Sequence, residues 1–288
     1  MSFNEKLGFP PNAKLLIINA DDFGMCYGQN IGTIRSIKEG LVSSCTLMMP
    51  CPWSLHAVHF LQEYKQVPFG IHLTFLSEYK HYRWGPLNPP QDVPTLVDNS
   101  GYFLPDNRIH ELMKKVNLTE LEKEFRTQIQ KVFSYGLEPT HLDSHYNLHE
   151  GREDIFELTF NLAIEFGLAL RVSKKSFIEK LQGMGYPTVD KPVTDSGQIK
   201  PEEVTNILSQ QLRDLPSGLN EWALHPGISS PELEAVMADP RVKGTTGTPQ
   251  GRQADFNLIT SQEFSDLVQK SGIEILSYRS LQKVWRKK

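Results

Sequence analysis

Apolar positions along this chain follow two periods in turn, short runs that suit buried strands and stripes near 3.6 residues that suit helices. Residues 15–20 (LLIINA) form a run long enough for a strand and too short for a helix. Beyond it, Ile31, Ile34, Ile37 and Leu41 recur at helical spacing, and Gly40 is placed to end that helix. Residues 42–49 and 69–75 read as the second and third strands. Thr119-Glu120-Leu121-Glu122 reads as a capping box. The helix it opens has Leu121, Phe125, Ile129 and Val132 on its apolar face and Gly136 at its end. A fourth strand over 140–145, a helix over 154–166 and a fifth strand over 168–172 come next. A helix led by Pro201 carries Val204, Ile207, Leu208 and Leu212. A sixth strand over 221–225, a helix from Ser261 and a last strand over 273–277 complete the pattern.

Strands that alternate with helices imply parallel strands joined by crossover helices. About seven such strands, with no Gly-rich dinucleotide fingerprint after the first, suit an irregular (β/α) barrel better than an open doubly wound sheet. The expectation is one α/β domain over 1–288. Two stretches interrupt the rhythm, an inserted excursion at 76–118 rich in Pro, Asn, Tyr and His, and a segment at 174–200 rich in Gly, Pro and Lys. Long connections in compact domains usually serve as covers or lids. Tyr79, Tyr82 and Trp84 in the first could stack on sugar faces or anchor the loop.

Charge narrows the function. Lys plus Arg is 30 against 34 acidic residues, a formal charge of −4, which argues against a nucleic-acid partner held by a basic face. No uncharged apolar run approaches the roughly 18 residues of a membrane span. The opening residues lack the apolar core of a signal peptide, so a cytoplasmic protein is expected. Cys26, Cys45 and Cys51 cannot all pair and have no zinc-finger spacing, so they read as small buried residues. A homodimer stays open.

The chemistry gathers at strand ends. Asp21 and Asp22 end the first strand, His72 sits in the third, His141, Asp143 and His145 run along the fourth, and His225 ends the sixth. Barrel enzymes place catalytic groups at the C-terminal ends of several strands. With a period of two, His141, Asp143 and His145 share one strand face. Two imidazoles around a carboxylate suit metal ligation, since a ligating His usually donates its second N–H to a carboxylate or carbonyl. A plain hydrogen-bonded strand end would read the same way. An Asp at a strand end can also simply cap the next helix. Beside His72 and His145, one of the two aspartates becomes a natural third ligand, and the other suits a general base. His225, held before Pro226-Gly227, can titrate near neutrality or be a satisfied core histidine. GxSxG, HExxH and P-loop motifs are absent, which removes the main support for serine esterase, zincin and nucleotide-hydrolase readings.

Asn19-Ala20-Asp21-Asp22-Phe23-Gly24, Gly70-Ile71-His72-Leu73, Thr140-His141-Leu142-Asp143-Ser144-His145 and His225-Pro226-Gly227 together resemble the YdjC-like family, known for chitooligosaccharide deacetylases. The resemblance runs from residue 15 to about 280. It implies an irregular β/α barrel like those of glycoside hydrolases and deacetylases, a bound divalent cation and hydrolysis of an N-acetyl group on a small acetylated sugar. Asp22, His72 and His145 match the family's metal ligands, Asp21 its proposed base, and His225 the histidine proposed to assist the leaving group. His141, Asp143 and Trp84 are expected to back the ligands or touch substrate. The family implies Mg²⁺, whereas one Asp with two His suits Zn²⁺ by ligand type. Asn147 stands where the family often has His, which bears on substrate preference rather than on the ligands. A metal-dependent phosphoesterase and a non-catalytic sugar-binding protein are the competing readings.

Overall fold

The computed structural model describes residues 2–238 and 247–288. Its centre is a curled parallel sheet, a half-barrel. After a short N-terminal helix α1 (Phe3–Lys6), strand β1 (Lys14–Phe23) enters the core and leads to helix α2 (Tyr27–Glu39). Strand β2 (Ser44–Leu47), helix α3 (Ser54–Glu63) and strand β3 (Phe69–Leu73) follow. Helices α4 (Ile109–Lys115) and α5 (Leu118–Ser134) precede β4 (His141–Ser144), and α6 (Glu153–Glu165) precedes β5 (Ala169–Leu170). Next come α7 (Lys175–Gly183), β6 (Thr194–Asp195), α8 (Val204–Arg213) and β7 (Gly218–Leu224). Helices α9 (Pro231–Val236), α10 (Pro249–Ile259) and α11 (Gln262–Lys270), strand β8 (Ile273–Ile275) and helix α12 (Tyr278–Trp285) end the described chain.

The spatial order is β5-β4-β3-β2-β1-β7-β6, with β8 also on β1. Every ladder is parallel, as crossover helices require. Because parallel neighbours in register point side chains the same way, the pairings His72↔Asp143 and His141↔Ala169 set the inner face of β3, β4 and β5. On the far side Ile17↔Glu221 and Asn19↔Ala223 do the same for β1 and β7. The outward faces bury Leu16, Ile18, Leu142, Leu170, Trp222 and Leu224 under the helices. Gly70 is required by packing, because a Cβ there would fall 2.4 Å from Cε1 of His141.

The seven strands read from the sequence are present, and β6 is an eighth. The segment 174–200 was read as irregular, yet it holds both β6 and α7. The apolar spacing of Phe177, Ile178 and Leu181, all buried on α7, is a helical stripe within Lys-rich surroundings. The cap of α5 also differs from expectation. Asn117, not Thr119, is the cap, its Oδ1 accepting from the N–H groups of Thr119 and Glu120. The Glu120 carboxylate instead takes the backbone N–H and hydroxyl of Thr95, tying the excursion to α5. Before α4 that excursion holds two short 3-10 turns, Pro90–Asp92 and Asp106–Arg108, and an isolated bridge pairing Val97 with Phe103. No helix among the described residues is long and apolar enough to cross a membrane. All three cysteines are free and buried, and burial pushes the Cys26 thiol up to about 12.

Candidate metal centre and active site

A cavity of about 470 Å³ opens at the C-terminal ends of the strands, lined among others by Asp21, Asp22, His72, His145, Arg171, His225 and Arg252. Strand alternation would send Asp22 to the face opposite Asp21, but Asp22 has a φ of 64°, a left-handed conformation that breaks the alternation, and both aspartates line the cavity. Gly24, at φ 101°, completes the turn.

Asp22 is buried, and its Oδ2 accepts from the Arg252 guanidinium at 2.7 Å. Its Oδ1 lies 3.2 Å from Nδ1 of His145 and 3.5 Å from Nε2 of His72, yet makes no well-formed hydrogen bond. One carboxylate oxygen and one nitrogen from each imidazole thus lie within 4.8 Å of one another. The other nitrogens are engaged: His72 Nδ1 pairs with Asp143 Oδ1 at 2.7 Å, and His145 Nε2 with Glu78 Oε2 at 3.0 Å. Each imidazole is therefore backed by a carboxylate and keeps one nitrogen for the centre, the arrangement that orients ligating histidines. A buried carboxylate oxygen without a hydrogen bond, facing two such nitrogens, fits a divalent cation. Burial opposes charging of these imidazoles, but the carboxylates outweigh it. Asp143 leads the upward influences on His72, raised to about 10, and Glu78 and Asp22 those on His145, raised to about 9.

Asp21 is gripped rather than left open. Arg171 donates through Nη1 to Oδ2 at 2.8 Å and through Nη2 to Oδ1 at 2.9 Å, and Asn19 Nδ2 donates to Oδ1 at 2.7 Å. Burial alone would raise the Asp21 carboxyl, but the Arg171 charge overrides it and holds the group well below the usual carboxylate range. The same guanidinium meets Glu221 Oε1 through Nε at 2.7 Å, and its Nη1 lies 2.6 Å from Asp143 Oδ2. Arg171 thus links the base candidate to the carboxylate behind His72.

His225 shares the cavity with Asp21. Its backbone N–H donates to Asp255 Oδ2 at 2.8 Å, which also accepts from Ser196 Oγ at 2.6 Å, so α10 fixes the strand end that carries it. The side chain's Nδ1 has no hydrogen bond and lies 3.9 Å from Asp195 Oδ1.

Two expected site residues are placed elsewhere. His141 lies on the barrel floor, stacked on Tyr278, and burial pushes it down to about 3, so it is neutral. Trp84 does not line the cavity. Its ring is buried, its Nε1 donates to Leu76 O at 2.7 Å, and it packs edge-on to His145 at 6.3 Å, which corrects the sugar-stacking expectation for this residue. Tyr79 and Tyr146 both line the cavity; Tyr79 is buried, whereas Tyr146 is half exposed and sits in two consecutive left-handed residues, Tyr146 at φ 58° and Asn147 at φ 51°. Arg171, Glu221, Arg252 and Glu78 were also missed. Arg171 and Glu221 did carry a signal, each a charge on an inward position of an otherwise apolar strand, whereas Arg252 on α10 carried none.

The sequence model of the family described as YdjC-like protein matches residues 15–270. The chain belongs to this family. Over 270 residues, this YdjC-like chain is 29% identical to a carbohydrate deacetylase of Clostridium beijerinckii, covering 92% of this chain and 99% of that one. It is 30% identical to a chitooligosaccharide deacetylase of Yersinia enterocolitica, again over 270 residues, 92% of this chain and 98% of that one. A crystal structure of an Enterococcus faecalis protein named for cellobiose-phosphate cleavage superposes on the YdjC-like chain with a TM-score of 0.77 at 29% identity, covering 93% and 99% of the two chains.

Proposed function

We propose that the protein is a metal-dependent carbohydrate deacetylase that hydrolyses the acetamide of an N-acetylglucosamine-type sugar or chitooligosaccharide and releases acetate. The observation that carries this reading is a division of labour between neighbours: Asp22 joins His72 and His145, while Asp21 faces the same cavity in the grip of Arg171. The names of the relatives, carbohydrate and chitooligosaccharide deacetylase, support the substrate class.

Asp22, His72 and His145 would hold a divalent cation, which when bound would supply Lewis acidity for the acetyl carbonyl and lower the pKa of water. Asp21 takes the proton that the attacking water releases, and the arginine fork keeps its carboxylate ionised and aimed. Protonated His225 gives its proton to the sugar nitrogen as the C–N bond breaks. The water oxygen ends in acetate, and the free amine leaves with the sugar. The donor set favours Zn²⁺ by ligand type, with Mg²⁺ as the family expectation. Elemental analysis of purified protein distinguishes them.

Phosphoester hydrolysis is disfavoured, because both arginines lining the cavity among the described residues are committed to Asp21 and Asp22. A panel of N-acetylated mono- and disaccharides, assayed for acetate, tests the proposal. Phosphate release from phosphosugars without acetate would replace it with a phosphoesterase. Sugar binding without either product would leave a binding protein.

Tyr146 is the sugar-facing aromatic in this reading. Tyr146→Ala is expected to raise KM several-fold while changing kcat little, the mark of lost binding that is uniform between ground and transition states. Steady-state kinetics on the best substrate check it, and unchanged KM would remove the ring from the sugar site.

A further inference from the structure

We propose that Tyr278 is a positioning residue for Asp21, acting through Glu221 and Arg171; the inference rests on the reading of Asp21 as the base. Tyr278 opens α12, beyond residue 270 where the family match ends, and its side chain is buried in the barrel floor, outside the cavity lining. Its hydroxyl donates to Glu221 Oε2 at 2.5 Å, and its ring stacks on His141 with centroids 3.6 Å apart and planes at 10°.

Arg171 holds Asp21 through its two terminal nitrogens, and two further carboxylates orient the guanidinium plane: Asp143 Oδ2, 2.6 Å from Nη1, and Glu221 Oε1, which accepts from Nε. Nε is the contact farthest from Asp21 on the guanidinium, so the direction of the fork depends on where the Glu221 carboxylate sits as well as on Asp143. A carboxylate bound through one oxygen can swing about its own axis, whereas one bound through both is fixed. Tyr278 supplies the second bond. The phenol is itself immobile, because it lies on a neutral imidazole and Gln282 of α12 donates to Pro139 O and Gly167 O at the strand entrances. The C-terminal helix therefore reaches the base through three consecutive hydrogen-bonded contacts without touching substrate.

Tyr278→Phe keeps the stacked ring and removes one hydroxyl. On the best acetylated sugar, kcat should fall about tenfold, the scale of one hydrogen bond to a charged group, with KM and cation stoichiometry unchanged. Glu221→Gln should lower kcat at constant KM in the same way. Adding Tyr278→Phe to Glu221→Gln should cost nothing further, since residues in one chain of contacts are not additive. Wild-type kcat in either single variant would overturn the inference, as would losses that multiply in the double variant, which mark independent structural roles. An active wild type with an unaffected Tyr278→Phe sinks this inference alone. A wild type that releases no acetate from any sugar sinks the functional reading and this inference together.

Discussion

Asp21→Asn protein should hold its cation at wild-type stoichiometry and still release acetate about 10²–10⁴-fold more slowly, the usual cost of a lost general base. The amide keeps the size of the side chain and can still accept from Arg171 through its oxygen, but it cannot take a proton. Equal cation loss in Asp21→Asn and Asp22→Asn, measured by elemental analysis, would instead make both aspartates ligands. The variant should also show a distinct pH signature in thermal melts. Arg171 holds the Asp21 carboxyl well below its ordinary value, against the opposing effect of burial. A depressed carboxyl contributes stability that is present above its unfolded pKa of about 4 and is lost as pH falls toward the folded value. The Tm difference between wild type and Asp21→Asn should therefore be largest near neutrality and shrink in acid. A gap that is constant with pH would mean that the Arg171 contact contributes nothing through charge.

His145→Ala should lose the cation and nearly all activity while the fold persists. His145 contributes one nitrogen toward Asp22 Oδ1, and its other nitrogen meets Glu78. Two remaining donors, Asp22 and His72, make a much poorer site. Removing the residue behind a ligand is milder, and Asp143→Asn should weaken cation affinity by about 10- to 100-fold. Metal titration beside circular dichroism separates cation loss from unfolding. Full occupancy in His145→Ala would take His145 out of the ligand set.

The succession of strands and helices, and the placing of Asp21, Asp22, His72 and His145 at strand ends, were legible because both follow local periodicity. A period of two put His141, Asp143 and His145 on one face, and the register His72↔Asp143 turned that pattern into a contact. The depth along the strand was harder to read. His141 and His145 are four residues apart, and that spacing sends the first to the floor and the second to the rim. Arg171 directly follows β5 and Glu221 lies on β7, so their linkage to Asp21 is a product of closure that no local window contains. Trp84 misled because an aromatic in a long loop has the same composition whether it faces ligand or core. Its indole N–H reaches the Leu76 carbonyl only eight residues back, an anchor inside the excursion itself.

Among the described residues no ladder joins β5 to β6, and both of these edge strands are two residues long. An exposed strand edge is a template on which another chain can add backbone hydrogen bonds, and proteins blunt it by keeping such strands short. Two residues give an incoming strand too few partners to register. Ala169 and Leu170 of β5 are buried as well, so that edge offers an incoming strand little backbone to pair with.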